Sequence, residues 1–198
     1  MVWLPVPRWR QQCLSDLPPG AAGDAAFRIF STPEISQWRH PEHRKLVERA
    51  RYHLRVAEHV RLETPAGAVQ TYRGTVLVLH GWTSESSFMA ALAEPVRRAG
   101  FDVLLMDMPA HGLSALRATN LVDCARALLA AGQTFGPIDG IIGHSFGGMV
   151  ALLAMEGGPP LTGRLAVPRI VLVSCPNRIA EITARFSRHW HLGARGLQ

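Results

Sequence analysis

Gly143-His144-Ser145-Phe146-Gly147 is the stretch of this sequence best suited to covalent chemistry. A serine stands between two glycines, directly after the apolar run 138–142 and directly before the helix-forming Met149-Val150-Ala151. A reversal this sharp forces the serine into a strained backbone conformation. Gly143 and Gly147 must then be small, to avoid colliding with each other and with Ser145. The arrangement would expose the serine Oγ over a helix amino terminus, whose dipole favours a developing anion. A hydroxyl so placed suits nucleophilic attack on an electrophilic carbon.

Buried strands are needed to hold such a turn. Residues 75–79 form an unbroken aliphatic and β-branched run, and similar runs follow at 101–106, 138–142 and 169–173. Runs without polar alternation predict strands covered on both faces. Helical stretches separate them. Residues 87–99 place Phe88, Leu92 and Val96 on one face, and Asn120 is positioned to cap a helix carrying Leu121, Ala125, Leu128 and Leu129. Alternating strands and helices predict a parallel, doubly wound α/β sheet. The strand over 75–79 should lie between those over 101–106 and 138–142. Upstream, 59–63 and 69–72 alternate polar and apolar residues around Thr64-Pro65-Ala66-Gly67, which predicts an antiparallel hairpin at the far edge. Leu46, Ala50, Leu54 and Ala57 recur at helical spacing over 41–57, and residues 1–40 read as an irregular, proline-rich lead-in. Two divisions follow: 1–58, the lead-in with a basic amphipathic helix, and 59–198, the sheet-forming core.

Two more motifs end their own strands. His80-Gly81-Trp82 closes the first buried run, and Asp107-Met108-Pro109-Ala110-His111-Gly112-Leu113-Ser114 closes the second. With the serine turn they occur in the order found in the α/β-hydrolase superfamily, which the chain resembles over about residues 59–175. The resemblance implies a serine hydrolase, esterase-like, acting on an ester, thioester or similar acyl bond through a covalent acyl-serine at Ser145. It implies an oxyanion hole built from the backbone N–H groups of Trp82 and Phe146. It makes Gly143, His144 and Gly147 the nucleophile elbow, with the His144 side chain directed away from Ser145. His80, Gly81, Asp107, His111 and Gly112 become loop-forming residues.

The family's chain order is serine, then acid, then histidine, with the acid after the sixth or seventh strand and the histidine after the eighth. Here the sixth strand is the last, Glu181 falls within an expected helix over 177–189, and only His189 and His191 follow the serine. The expectation is a fold truncated after the sixth strand, lacking its acid and base. Its run 169–173 would form an uncovered apolar edge prone to self-association. The other reading of the same residues is a non-catalytic binding protein or a degenerate fragment.

Composition narrows the rest. A chain of 198 residues with 47% hydrophobic content supports one core. The formal charge of +6 is carried by arginines, densest from Arg39 to Arg61 and interrupted by Glu42, Glu48 and Glu58. That pattern reads as a solvated helix face, with no nucleic-acid or membrane partner expected. Cys13, Cys124 and Cys175 show no pairing pattern and are expected as free thiols. His40, His43, His53 and His59 are expected at the surface, and no ligand spacing suggests a metal. The remaining expectations are no cofactor, a small-molecule acyl substrate and a cytoplasmic setting; the sequence assigns no oligomeric state.

Overall fold

The computed structural model describes residues 17–32, 44–45, 47–48, 51, 59–72 and 76–190. They fall into two compact units, Pro33–Cys175 and a second formed by Met1–Thr32 with Pro176–Gln198. The amphipathic positions Leu46, Ala50, Leu54 and Ala57 lie outside the described residues, as do His40, His43, His53 and His191.

The larger unit is built on a six-stranded sheet: β1 (His59–Thr64), β2 (Gly67–Tyr72), β3 (Val76–Leu79), β4 (Val103–Met106), β5 (Gly140–His144) and β6 (Ile170–Val173). Its spatial order is β1-β2-β4-β3-β5-β6. Strands β3 to β6 run parallel, and Leu77 pairs with Leu104 on one side and Ile141 on the other. The hairpin β1–β2 joins antiparallel to β4 at the far edge. Both the topology and the hairpin match the sequence expectation. Within the hairpin turn, the Thr64 hydroxyl donates to the Gly67 carbonyl at 2.7 Å.

All four residues of β3 are buried, because this strand is flanked on both edges and covered on both faces. One covering layer is α3 (Leu121–Phe135) with α4 (Phe146–Glu156), whose Ala125, Leu128, Val150 and Ala151 pack on Leu77, Leu79 and Ile141. The other includes Met89 and Ala93 against Val78 and Leu105. Asn120 caps α3 as expected. Its side-chain oxygen accepts the Asp123 amide at 2.9 Å, and its NH2 group donates to the Asp123 carboxylate at 2.7 Å. Asn120→Ala should therefore cost about 1 kcal/mol. A thermal melt should show this as a drop of about 3 °C.

Three expectations fail in informative ways. The stretch 87–99 is not one helix: a 3-10 turn over Ser86–Met89 leads into α2 (Ala90–Arg98). Three residues per turn in place of 3.6 shifts the helical phase. The buried face is consequently Met89, Ala90 and Ala93, and Leu92 faces solvent. Strand β6 departs from the reading of a strand covered on both faces but matches the expected uncovered apolar edge, since Val171 and Leu172 are exposed on a strand paired only with β5 among the described residues. Residues Pro19–Ser31, expected as part of an irregular lead-in, form α1. Pro19 occupies the first helical turn, where its missing N–H costs nothing. In its unit, α1 buries Ala22 and Ala26, and Phe30 meets Phe186 of α5 (Ile179–Trp190) edge-on at 5.3 Å.

Candidate functional site

The carboxyl ends of the parallel strands carry every motif the sequence singled out. Ser145 lies between β5 and α4 with φ 51° and ψ −118°, a left-handed backbone that a non-glycine residue rarely adopts. Its amide donates to the Val173 carbonyl at 2.8 Å and its carbonyl accepts the Gly148 amide at 3.0 Å, so the turn is held from both sides. Being the cap of α4, Ser145 stands where the first amides of the helix have no carbonyl of their own turn to bond.

The glycines are small for reasons the sequence located only in part. A Cβ on Gly143 would sit 2.6 Å from Gly148 Cα. One on Gly147 would sit 2.8 Å from Leu79 Cβ and 2.9 Å from the Leu79 carbonyl oxygen, closer still to that of His80. The elbow glycines thus make room for Gly148 and for the end of β3, and Gly143 also for the Gly147 carbonyl carbon, 3.1 Å from a Cβ there. Gly148 itself packs on Cys175, whose Sγ would lie 2.7 Å from a Cβ there. The sequence signal for this third glycine was the Gly147-Gly148 doublet. Cys175 has a packing role as expected, and burial pushes its thiol above the ordinary range.

Gly81 brings the first motif to the nucleophile. A Cβ at this position would lie 3.3 Å from Ser145 Cβ and 3.0 Å from His144 Nδ1. The Trp82 and Phe146 rings meet edge-on at 4.8 Å, and His111 packs on Trp82 at 5.0 Å. Trp82 and Phe146 are both buried. The structure thus gathers Gly81, Trp82, His144, Ser145 and Phe146 into one place. Partial burial lowers the His144 imidazole from its ordinary value. Among the described residues, neither the His144 ring nor Ser145 Oγ has a hydrogen-bond partner.

His80 and His111 are committed to backbone. His80 Nδ1–H donates to the Gly81 carbonyl at 2.8 Å, and its Nε2 accepts the Met108 amide at 3.0 Å. His111 repeats the pattern, donating from Nδ1 to the Pro109 carbonyl at 2.9 Å and accepting the Thr83 amide at Nε2, 3.3 Å away. One nitrogen that donates and one that accepts define a neutral ring. Burial enforces neutrality: desolvation lowers His80 to about 4 and, with the neighbouring His80, lowers His111 to about 3. Each ring ties the β3 turn to the β4 turn.

Asp107 completes that link. One carboxylate oxygen accepts the Ser86 amide at 2.6 Å and the other accepts the Leu113 amide at 2.9 Å. Desolvation raises its pKa. Gly112, at φ 53°, lies flat against this carboxylate, where any Cβ would collide with it. An ion pair with a buried carboxylate, missed by sequence reasoning, lies close by. Glu85 is 3% exposed and takes both oxygens to Arg51, at 3.1 and 3.0 Å. No local spacing announces a pair separated by 34 positions.

The profile of the alpha/beta hydrolase family matches residues 76–197, more than half of the chain. The chain belongs to the alpha/beta hydrolase family. Similar solved structures include a protein provisionally assigned as a lipase, Lip1 from Acinetobacter baumannii AYE, with 20% identity over 73% of this chain and 52% of that one, TM-score 0.55. An esterase from Exiguobacterium antarcticum shares 20% identity over 60% of this chain and 46% of its own, TM-score 0.51. The epoxide hydrolase CorEH shares 20% identity over 62% of this chain and 44% of its own, TM-score 0.51. At such identities the likeness concerns the alpha/beta hydrolase fold. The chain spans about half the length of these structures. No curated protein matches the sequence.

Glu181 lies in α5, exposed, and His189 lies about two turns further along the same helix. Among the described residues no group of three His, Cys, Asp or Glu side chains could hold a metal ion, and no helix is long and apolar enough to cross a membrane.

Proposed function

We propose that this chain carries the nucleophile and oxyanion hole of a serine hydrolase acting on ester or thioester bonds of small acyl substrates, without a cofactor and in a cytoplasmic setting. The Ser145 Oγ attacks the acyl carbon, and its proton passes to a base. The carbonyl oxygen becomes an oxyanion, met by the backbone N–H groups of Trp82 and Phe146 at the start of α4. Collapse expels the alcohol or thiol, which takes the proton, and leaves an acyl-serine. Water then attacks that ester, releasing the acid and restoring the hydroxyl.

The observation that carries this reading is Ser145 at φ 51° on the cap of α4, with Gly81 against its Cβ. This reading assigns neither His80 nor His111 as the base, because each has both nitrogens bound to backbone, and it assigns no acid–base pair among the described residues. Hydrolysis of an activated short-chain ester by residues 1–198 should then exceed the rate in water by a factor of no more than about 10³ to 10⁴.

The test is labelling with an activated serine-directed phosphonate followed by peptide mapping. An adduct on Ser145, absent from Ser145→Ala, supports the assignment; equal labelling of the two chains would overturn it. The same committed histidines favour a second reading, a binding protein that holds an acyl ligand in the cleft. Ligand binding undiminished in Ser145→Ala, with no adduct on the parent chain, would establish that reading instead.

A further inference from the structure

The turn that follows β3 is anchored more heavily than a connecting loop needs. Thr83 holds φ 58°, a conformation that costs a non-glycine residue free energy and persists only where its surroundings over-determine it. On one side its amide is fixed by His111 Nε2, and its hydroxyl donates to the Trp82 carbonyl at 2.7 Å. On the other, two residues along, the Glu85 carboxylate is almost wholly buried and accepts two parallel bonds from Arg51. The Ser87 hydroxyl donates to the same carboxylate, and the Ser86 amide to Asp107. Arg51 comes from outside the β-sheet, upstream of the hairpin, and stays partly exposed while its partner is buried.

A buried carboxylate that loses its guanidinium keeps its hydroxyl donor but not its countercharge, which is unfavourable, so the loop follows the guanidinium. The two-pronged fork also sets the plane of the carboxylate, which a point charge would not. We propose that Arg51, acting through Glu85, is a positioning residue for the Trp82 turn: its guanidinium clamps the loop that presents the Trp82 amide to the reacting carbonyl. This rests on the acyl-serine reading above. A shift of the loop by about 1 Å would lower reactivity about a hundredfold with little change in ligand affinity.

The experiment compares the full chain with Arg51→Ala, Arg51→Lys, Glu85→Gln and the double variant Arg51→Ala/Glu85→Gln. Arg97→Ala serves as control, since that residue pairs with Glu94 in an exposed ion pair. Amide hydrogen exchange should quicken about tenfold across residues 80–87 in Arg51→Ala and Glu85→Gln, with residues 143–150 unchanged. The double variant should exchange no faster than either single one. Lysine should restore only part of the protection.

Maximal phosphonate labelling of Ser145 should fall by about tenfold to a hundredfold in Arg51→Ala, with the half-saturating concentration within about twofold of the parent. Parental exchange at 80–87 in Arg51→Ala would overturn the clamp, as would a loss of protection spread evenly over β3 to β6. So would faster exchange with a labelling rate within about twofold of the parent. If the parent chain resists the phosphonate altogether, the acyl-serine reading fails, and the exchange data alone decide whether the pair positions the turn.

Discussion

Gly147→Ala should destabilise the protein by about 3 kcal/mol and abolish labelling of Ser145. The added methyl would enter the space of the Leu79 Cβ, the Leu79 carbonyl oxygen and, nearer still, the His80 carbonyl oxygen. Two of these three are backbone atoms at the end of a strand bonded on both sides, so no rotamer change relieves the clash. The start of α4 would have to move away from β3. That movement would separate Ser145 from Gly81, the contact on which the site depends. A thermal melt should show a fall of about 10 °C. Gly20→Ala provides the contrast, because nothing lies within 4 Å of a Cβ there and Gly20 sits in α1. It should be neutral or stabilising by up to about 1 kcal/mol. A Gly147→Ala chain that melts and labels like the parent would refute the close packing of elbow on strand.

Acid should unfold the protein through the two histidines that brace the site. The neutral forms are the ones with hydrogen bonds and no desolvation cost, so both rings bind protons less readily folded than unfolded. His80 falls from 6.5 to about 4, and His111 from 6.5 to about 3. Between these values the unfolded chain holds more protons, so stability rises with pH. The stabilisation is complete above about pH 6.5 and is lost as the pH falls toward 4. For His80 the loss amounts to about 3 kcal/mol at the lower end, and His111 adds a loss of similar order.

Asp107 works in the opposite direction. Its raised pKa means that protonation relieves a buried charge, which offsets part of the loss near the ordinary carboxylate range. The net expectation is a melting temperature lower by about 10 °C at pH 4 than at pH 7. His111→Gln should flatten the pH dependence while lowering stability at pH 7, since glutamine carries no titrating group. A melting temperature level from pH 7 to pH 4 in the parent chain would contradict buried neutral imidazoles.

What was legible in the sequence was whatever depends on neighbours along the chain. A strand buried on both faces leaves an unbroken apolar run, which is why β3, β4 and β5 could be read directly, and with them the parallel order around Leu77. A capping side chain bonds an amide three residues on, so Asn120 was recognisable beside Asp123. The positive φ of Ser145 followed from a serine set between glycines at a strand-to-helix reversal.

What depends on atoms brought together from distant segments was decided only by the tertiary structure. The partner of Gly147 is the end of β3, and that of Glu85 is Arg51; neither leaves a local pattern. The buried face of α2 depended on the phase set by a 3-10 turn. The helical spacing of Ala22, Ala26 and Ile29 in α1 was present in the sequence. Its small side chains bury too little surface to signal a helix until Phe186, far along the chain, packs in the same cluster as Ala26.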